Sequence, residues 1–306
     1  MENFVFGDTP SLPSIENLVA EIARQPDEFF ISPIKLGNLC DIRSIVIQTL
    51  MTYLELDGYL ESTSPRYDSY SFKPNISGEQ LLGNFEGERQ QFVRGLLACS
   101  KKRKIWFFID IGEAMEKLSC DRLRVVKALD YFNEQGWIEL RASGLVHGYR
   151  KLRSVDSQQE LAQSLFEKVE ARETGEIQRT RQSLQLSTAA ECQAGVLSSH
   201  FGQPLDQPCG QCSFCVGEGP FEVPEPVYSE LAQSTLDEVQ QLIEQKPAAL
   251  NTPRAVARFL CGIRSPALTR AKLTGNGSFG SCEKVPFDNV MQQVESCLTF
   301  ANKPPF

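Results

Sequence analysis

Four cysteines stand close together at Cys192, Cys209, Cys212 and Cys215, in the pattern C-x16-C-x2-C-x2-C. Thiolates are soft ligands, and Zn²⁺ takes four ligands at the corners of a tetrahedron. Two residues between successive cysteines let one tight turn aim both sulfurs at one metal, and the prolines and glycines of this stretch favour such turns. Sulfur would fill all four positions and leave none open for water. The spacing therefore predicts a structural zinc site, not a catalytic one.

Two alternatives to this ligand set stay open. The cysteines could be free or disulfide-bonded thiols, which metal-like spacing within 24 residues disfavours. His200 is a rival ligand, ranked below Cys192 because it lies inside a predicted helix that leads to Phe201-Gly202. The other cysteines are scattered, and in a reducing cytosol we expect them to be small buried side chains. They are Cys40, Cys99, Cys120, Cys261, Cys282 and Cys297.

This stretch resembles the zinc-binding subdomain of RecQ-type DNA helicases. In that subdomain a helical cysteine precedes an aromatic-glycine step and a Cys-Gly-x-Cys-x-x-Cys knuckle, which Cys192, Phe201-Gly202 and residues 209–215 match. Residues 252–266 look like the C-terminal helical region of the Rothmund–Thomson branch of that family. In the common RecQ layout the zinc module precedes a single winged helix. Here it follows two candidates, which also favours that branch.

The resemblance implies the accessory region of an ATP-dependent 3′→5′ DNA helicase that acts in DNA repair and recombination. The sequence has no G-x-x-x-x-G-K-[ST] phosphate loop and no DExH-type acidic box. It has only two histidines, so no Ser-His-Asp or Cys-His set can be assembled. We therefore expect RecQ-type motor domains, and with them ATP, to lie outside this chain, either fused to it or acting in trans. The pattern Gly275-x-Gly277-x-x-Gly280 follows no predicted strand, so it does not indicate a dinucleotide site.

The overall charge argues against a uniformly basic nucleic-acid binder. The 306 residues carry a formal net charge of −8, but residues 100–153 contain 12 Lys and Arg against 7 Asp and Glu. No apolar run approaches the length of a membrane span, and the N-terminus lacks the pattern of a secretory signal. We expect a protein that contacts DNA and no membrane, in the bacterial cytoplasm at the nucleoid or in a eukaryotic nucleus.

The predicted fold is mainly α with small β-wings: tandem winged helices, a four-cysteine zinc module on a helix pair and a C-terminal helical domain. The predicted segments are a connector helix (1–31), two winged helices (32–75 and 81–153), a helical zinc-binding module (154–217), a linker (218–229) and the C-terminal helical domain (230–306).

The two winged helices are predicted as an internal repeat. Cys40-Asp41 and Cys120-Asp121 would each open a long helix, and Gly58-Tyr59 and Gly136-Trp137 would each close one. A hairpin would then follow in each repeat. Its turn would be Ser64-Pro65-Arg66 in the first repeat and Ala142-Ser143-Gly144 in the second.

The third helix of a winged helix commonly enters the DNA major groove. In the second repeat, basic residues there and nearby would form a track for phosphates, which gives affinity but no sequence choice. The track consists of Lys101, Lys102, Arg103, Lys104, Arg122, Arg124, Lys127, Arg150 and Lys151, with His147 beside it. The alternative is a solvated face, partly paired with Glu116, Asp121 and Asp130. In the first repeat the long helix offers only Arg43, and we expect it to pack instead.

A second basic cluster is evenly balanced between DNA contact and a structural or interface role. It consists of Arg254, Arg258, Arg264, Arg270 and Lys272. Either wing tip could separate DNA strands, although only the first carries an aromatic residue, Tyr67, which core packing explains better. Two rival functions stay open. One is a stand-alone winged-helix transcription regulator, and the other is a zinc-stabilised protein-interaction module that touches no nucleic acid.

Overall fold

The computed structural model describes residues 2–223, 230–246 and 248–300. The described chain is mainly helical and contains one five-stranded antiparallel sheet. It forms two compact units. The helical unit comprises the described residues of Met1–Arg24, Gly37–Leu50 and Val155–Phe306, and the sheet unit comprises Gln25–Leu36 and Met51–Ser154.

Helices and strands are mixed up to residue 151, and the described elements after it are all helical. The helices are α1 (Glu2–Val5), α2 (Leu12–Arg24), α3 (Pro33–Cys40), α4 (Ser44–Leu56), α5 (Gly78–Gly83), α6 (Gly87–Ala98), α7 (Ile111–Leu118), α8 (Arg122–Glu134), α9 (Gln158–Ser187), α10 (Gln193–His200), α11 (Gln233–Gln245), α12 (Pro253–Leu260), α13 (Pro266–Arg270) and α14 (Phe287–Cys297). The strands are β1 (Glu28–Ile31), β2 (Leu60–Pro74), β3 (Lys101–Arg103), β4 (Trp106–Asp110) and β5 (Ile138–Lys151).

The sheet has the strand order β1-β5-β2-β4-β3. Its centre is the long ladder between β2 and β5, which pairs Leu60 with Lys151 at one end and Pro74 with Ile138 at the other. The prediction of one hairpin in each repeat is therefore wrong. Each predicted hairpin is a single continuous strand, and the two strands pair with each other.

Glycine and proline inside these strands explain the error. Gly144 has φ +66°, and a Cβ there would lie 2.3 Å from the Ser69 Oγ, so the residue serves a close approach between strands. The ladder is irregular between Thr63 and Arg66, a stretch that contains Pro65. Inside a strand, such residues mark a bulge or a tight approach instead of a turn.

The internal repeat is present, with an offset of 78 residues. The shorter helices begin at Pro33 and Ile111, and the longer ones at Ser44 and Arg122. Each shorter helix has eight residues and each longer helix thirteen. The turn glycines that follow, Gly58 and Gly136, have φ +71° and +72° and obey the same offset.

Each repeat begins with a short strand and ends with a long one, as β1-α3-α4-β2 and β4-α7-α8-β5. In the sheet the short strand of each repeat pairs with the long strand of the other, since β1 pairs with β5 and β4 pairs with β2. The repeats thus exchange their pairing strands across the central ladder.

The predicted cap of α4 is wrong. Asp41 has φ +55° and its counterpart in the repeat is Ser119, φ +47°, which ends α7. The Asp41 carboxylate accepts a hydrogen bond from the backbone N–H of Ala267, at the start of α13. In the second repeat the prediction is confirmed, because the Asp121 side chain accepts from the N–H of Arg124 and caps α8.

A hydrocarbon core lies in the C-terminal part of the helical unit. It is built by α11, α12 and α14, where Val239, Phe259 and Val290 are fully buried. Thr252 caps α12, because its hydroxyl accepts from the N–H of Ala255 at 3.2 Å, and Pro253 occupies the first turn. Part of the predicted linker 218–229 lies outside the described residues, and α11 begins at Gln233.

The sheet unit has its own core beneath the sheet. Phe72 and Ile109 of the strands are buried with Leu96, Val125 and Phe132 of α6 and α8. The described chain has no helix that is both long and apolar enough to cross a membrane.

Candidate metal centre and basic surface

We call residues 191–223 the cysteine module. It follows the long helix α9, and its first cysteine, Cys192, is the N-cap residue of α10. The Cys192 Sγ accepts hydrogen bonds from the backbone N–H groups of Gly195 at 3.4 Å and Cys209 at 3.2 Å. The start of a short helix thus holds this sulfur beside the second half of the module.

The other three cysteines lie on one tight turn. The Cys209 Sγ accepts from the N–H groups of Gln211 at 3.4 Å and Cys212 at 3.3 Å. Gly210, the residue after Cys209, has φ +70°, a conformation that favours glycine. These bonds curl the backbone around the sulfur, as a metal-binding knuckle requires.

The four sulfurs converge. The Sγ atoms of Cys192, Cys209, Cys212 and Cys215 all lie within 4.8 Å of one another, and the sulfurs of Cys209 and Cys215 are 4.0 Å apart. A tetrahedron with zinc–sulfur bonds of about 2.3 Å places its sulfurs about 3.8 Å apart. The four cysteines can therefore hold a metal ion such as zinc, and their donor set is sulfur alone. His200 does not belong to this group and lies at the end of α10.

The surroundings of Cys192 and Cys212 favour thiolates. Backbone N–H donors from Cys209 and Gly195 lower the pKa of Cys192. The pKa of Cys212 is lowered to about 6, first by the backbone N–H of Cys215. The pKa of Cys215 is raised to about 12, first by its contact with the Cys212 sulfur, because adjacent thiolates compete for the remaining proton. A bound divalent cation would replace such shared protons.

The other cysteines are mostly inert side chains of the interior. Cys40, Cys99, Cys261 and Cys282 are buried, as predicted, whereas Cys120 is half-buried and Cys297 is exposed. Burial raises the pKa of Cys40 and Cys261 to about 12. The same residue type thus occupies two opposite environments.

The cysteine module has no hydrocarbon core of its own. No residue of α10 is buried. The module is attached to the end of α9 by polar contacts: the Gln193 side-chain amide and the Phe221 N–H both donate to the Ser187 carbonyl, at 3.3 Å and 3.2 Å. The convergent sulfurs are therefore its main means of cohesion within the described residues.

Five residues of the predicted DNA track are engaged within the protein. Lys101 pairs with Glu113 at 2.8 Å, and Arg124 pairs with Glu88 at 2.8 Å. The other three residues are Arg122, which donates to the Tyr67 carbonyl and pairs with Asp68, Arg150, which pairs with Glu28 and Glu61, and Lys151, which donates to the Gln25 carbonyl. These five are therefore engaged internally, as the alternative expected, but the acidic partners are not the predicted Glu116, Asp121 and Asp130.

Four residues of the track make no ion pair within the described part of the chain. Lys102, Arg103 and Lys104 are exposed at one end of the β3–β4 hairpin, and Lys127 is exposed on α8. Lys104 has φ +55° and forms the two-residue turn with Ile105, which is 61% exposed. This hairpin is the basic protrusion of the sheet unit.

The second basic cluster is largely structural. Arg258 is buried, and its guanidinium donates to the backbone carbonyls of Phe6 and Thr9. Burial, and then the nearby Arg254, lower the pKa of Arg258 to about 10. Arg254 pairs with Glu173. Arg270 donates to the Asn38 carbonyl. Arg264 and Lys272 are exposed.

Neither predicted wing tip is a hairpin tip. Tyr67 lies within β2, where it pairs with Leu145 of β5, and its side chain is partly exposed. The core packing expected for Tyr67 is therefore not what the structure shows. The β3–β4 turn at Lys104-Ile105 was not predicted from the sequence, because the basic run hid a three-residue strand.

No protein-family model and no curated protein matches this sequence. The resemblance to RecQ-type helicases therefore stays a prediction that depends on the cysteine motif and residues 252–266.

Sequence reasoning also missed the surface of the cysteine module. Large apolar side chains there face solvent, among them Phe201 and Phe221. The sequence did carry one signal of an unusual surface in this region, its charge. Residues 182–245 contain no lysine or arginine and nine acidic residues.

Proposed function

We propose that this chain is the DNA-binding, zinc-stabilised accessory region of a RecQ-type, ATP-dependent 3′→5′ DNA helicase. The observation that carries DNA contact is the β3–β4 hairpin, whose Lys102, Arg103 and Lys104 are exposed and free of ion pairs among the described residues. Phosphates attract such cations, and this contact depends on salt and not on base sequence.

We further propose that each repeat is a winged helix. The order strand-helix-helix-strand in β1-α3-α4-β2 and β4-α7-α8-β5 supports this, with the third strand of each supplied by the other repeat. On this assignment α8 is the helix directed to DNA, and Lys127 on its exposed side adds a phosphate contact.

Zinc is the proposed metal of the cysteine module. When bound by Cys192, Cys209, Cys212 and Cys215, it supplies folding free energy and no chemical step, because sulfur occupies all four positions. ATP belongs to the proposed motor domains and has no role in these residues.

The test is DNA binding by the zinc-loaded chain. Fluorescently labelled duplex, forked and single-stranded DNA are titrated across a salt series, and Lys102, Arg103 and Lys104 are replaced together by alanine. We expect structure-dependent, sequence-independent binding that weakens steeply with salt. The variant's salt slope should fall by roughly one for each phosphate that loses its cation. The matched control replaces Arg172, Arg179 and Arg181 of α9, which removes the same charge elsewhere.

Each other outcome leads to a different function. A strong preference for one base sequence would indicate the transcription regulator. No binding at about 50 mM salt, where phosphate contacts are strong, would indicate the protein-interaction module. Equal losses in the hairpin variant and the α9 control would contradict the assignment of the hairpin.

A further inference from the structure

The cysteine module exposes an unusual amount of apolar surface. Its large apolar side chains that face solvent are Leu197, Phe201, Leu205, Phe214, Val216, Phe221 and Val223. Phe201 is 74% exposed and Phe221 is 65% exposed. Single exposed apolar residues are ordinary, but seven of them within one short module indicate an interaction surface.

The charged side chains of the module itself have one sign. No lysine or arginine occurs in residues 182–245. The acidic residues of the module are Glu191, Asp206, Glu218 and Glu222, and all of them are exposed. Four thiolates around one divalent cation leave a further charge of about −2 at its centre. Phosphates would be repelled from this surface.

We propose that the cysteine module is a docking surface for a partner protein, through a segment that carries basic and apolar side chains together. Apolar side chains of the segment would cover Phe201 and Phe221, and its lysines or arginines would face Glu218 and Glu222. Charge complementarity decides between occupants. A second copy of this surface would bring like charges together, and so would DNA.

The module is suited to this role because its backbone is held in place. Phe214 lies between Cys212 and Cys215, so that two of the converging sulfurs fix the chain on both sides of the aromatic ring. Phe201 ends α10, and its N–H donates to the Ser198 carbonyl at 3.1 Å. Groups that are already ordered lose little conformational entropy when a partner binds.

This surface is separate from the DNA contact proposed above. The hairpin of Lys102 to Lys104 is basic and belongs to the sheet unit, whereas the cysteine module is acidic and belongs to the helical unit. Either proposal can therefore fail without the other.

The experiment uses the full, zinc-loaded chain and a designed probe. The probe is a labelled 18-residue peptide of leucine and lysine, patterned as an amphipathic helix, and its counterpart carries glutamate in place of lysine. Fluorescence anisotropy measures binding at about 50 mM salt, where charge attraction is weakly screened. We expect the lysine peptide to bind and the glutamate peptide not to bind.

Variants locate the contact. Phe201→Ala combined with Phe221→Ala should weaken binding of the lysine peptide at least about fivefold, as loss of a central apolar anchor does. Neutralising the four acidic residues as Glu191→Gln, Asp206→Asn, Glu218→Gln and Glu222→Gln should weaken it by a similar factor. The matched control is Phe4→Ala combined with Leu56→Ala, which removes two exposed apolar side chains outside the module and should leave binding unchanged. Zinc content and the melting curve verify that each variant is folded.

Several outcomes would overturn the proposal. Failure of the lysine peptide to bind does so, as does equal binding of the glutamate peptide or an equal loss in the control. If Phe201→Ala with Phe221→Ala instead abolishes binding of single-stranded DNA, the surface is a base-stacking platform. If sedimentation shows that the same variant dissolves a dimer, the occupant is a second copy. The hairpin variant in the DNA titration fails or succeeds independently of all these results.

Discussion

The cysteine module and the C-terminal helices, residues 233–298, belong to the same unit but are held together differently. The C-terminal helices bury complete aromatic and aliphatic side chains, such as Phe259 and Phe287. The module buries none of the residues of its helix and gathers four sulfurs instead. A short segment that cannot enclose apolar side chains can still be ordered by a metal, and its apolar side chains are then available to a partner.

The largest effect is expected from removal of one sulfur. Cys212→Ser should reduce bound zinc from about one ion per chain to almost none, because structural zinc contributes apparent binding free energies of about 10–16 kcal/mol in small zinc fingers. Elemental analysis measures the metal, and hydrogen exchange should show reduced protection in residues 191–223 alone. Cys297→Ser, at an exposed cysteine outside the cluster, is the control. Full zinc and an unchanged melting curve in Cys212→Ser would remove the basis of the comparison.

Truncation of an aromatic ring should lower the free energy of unfolding strongly in the C-terminal helices and hardly at all in the cysteine module. Phe259→Ala deletes a fully buried ring and should lower the free energy of unfolding by about 3–5 kcal/mol. Phe201→Ala deletes an exposed ring and should change it by less than about 0.5 kcal/mol. Urea denaturation followed by circular dichroism measures both. Similar losses in the two variants would mean that the module has a core after all.

A third variant tests the polar contacts of the helical core. Arg258→Met removes the buried guanidinium. It takes the Arg258 donor from the Thr9 carbonyl and leaves the Phe6 carbonyl with Arg254 alone, which should cost roughly 2–3 kcal/mol. Arg258→Lys keeps the charge but not the two-pronged donor, so we expect an intermediate loss. Hydrogen exchange in residues 2–10 should rise in Arg258→Met. Unchanged exchange there would contradict an anchoring role.

A smaller effect is expected from acid, which should act in opposite directions on the stability contributed by Asp41, the partner of Ala267, and on the cysteine module. Burial raises the pKa of Asp41 above its ordinary value of 3.8, so the ionised carboxylate opposes folding at pH above that raised pKa. This penalty decreases as the pH falls through the raised pKa and disappears below 3.8. The difference in unfolding free energy between wild type and Asp41→Asn should therefore narrow from pH 8 towards pH 4. The module should behave in the opposite way, because protons compete with zinc for thiolates.

Urea titration at each pH measures the difference in unfolding free energy between wild type and Asp41→Asn. A chromogenic chelator records zinc release in parallel. A constant difference between Asp41→Asn and wild type across the range would contradict the raised pKa. Retention of zinc at acid pH would contradict thiolate ligation.

Local patterns were sufficient to predict the local features. The C-x2-C-x2-C run predicted a cluster whose sulfurs converge. The same holds for the cap at Asp121, since a cap depends on residues only three positions apart.

Features that depend on distant pairing could not be predicted in this way. The alternation of β2 and β5 was recognisable, but Pro65 and Gly144 resemble turn residues unless the partner strand is known. The role of Arg258 was hidden for the same reason. Its carbonyl partners lie about 250 positions away, so the sequence showed only a basic residue on a helix. The match of Asp41 with Asp121 failed because it used an offset of 80, whereas the repeat has 78.

The exchange of strands between the repeats has a consequence for synthesis on the ribosome. The register joins Leu60 to Lys151, so the first repeat cannot complete its sheet until the chain has been made through the second. Loop closure over such a distance slows folding, and β2 meanwhile presents an unpaired edge. A nascent chain halted after residue 137 would lack β5 entirely and would be a substrate for chaperones. The central ladder thus makes the completion of each repeat's sheet depend on the other repeat.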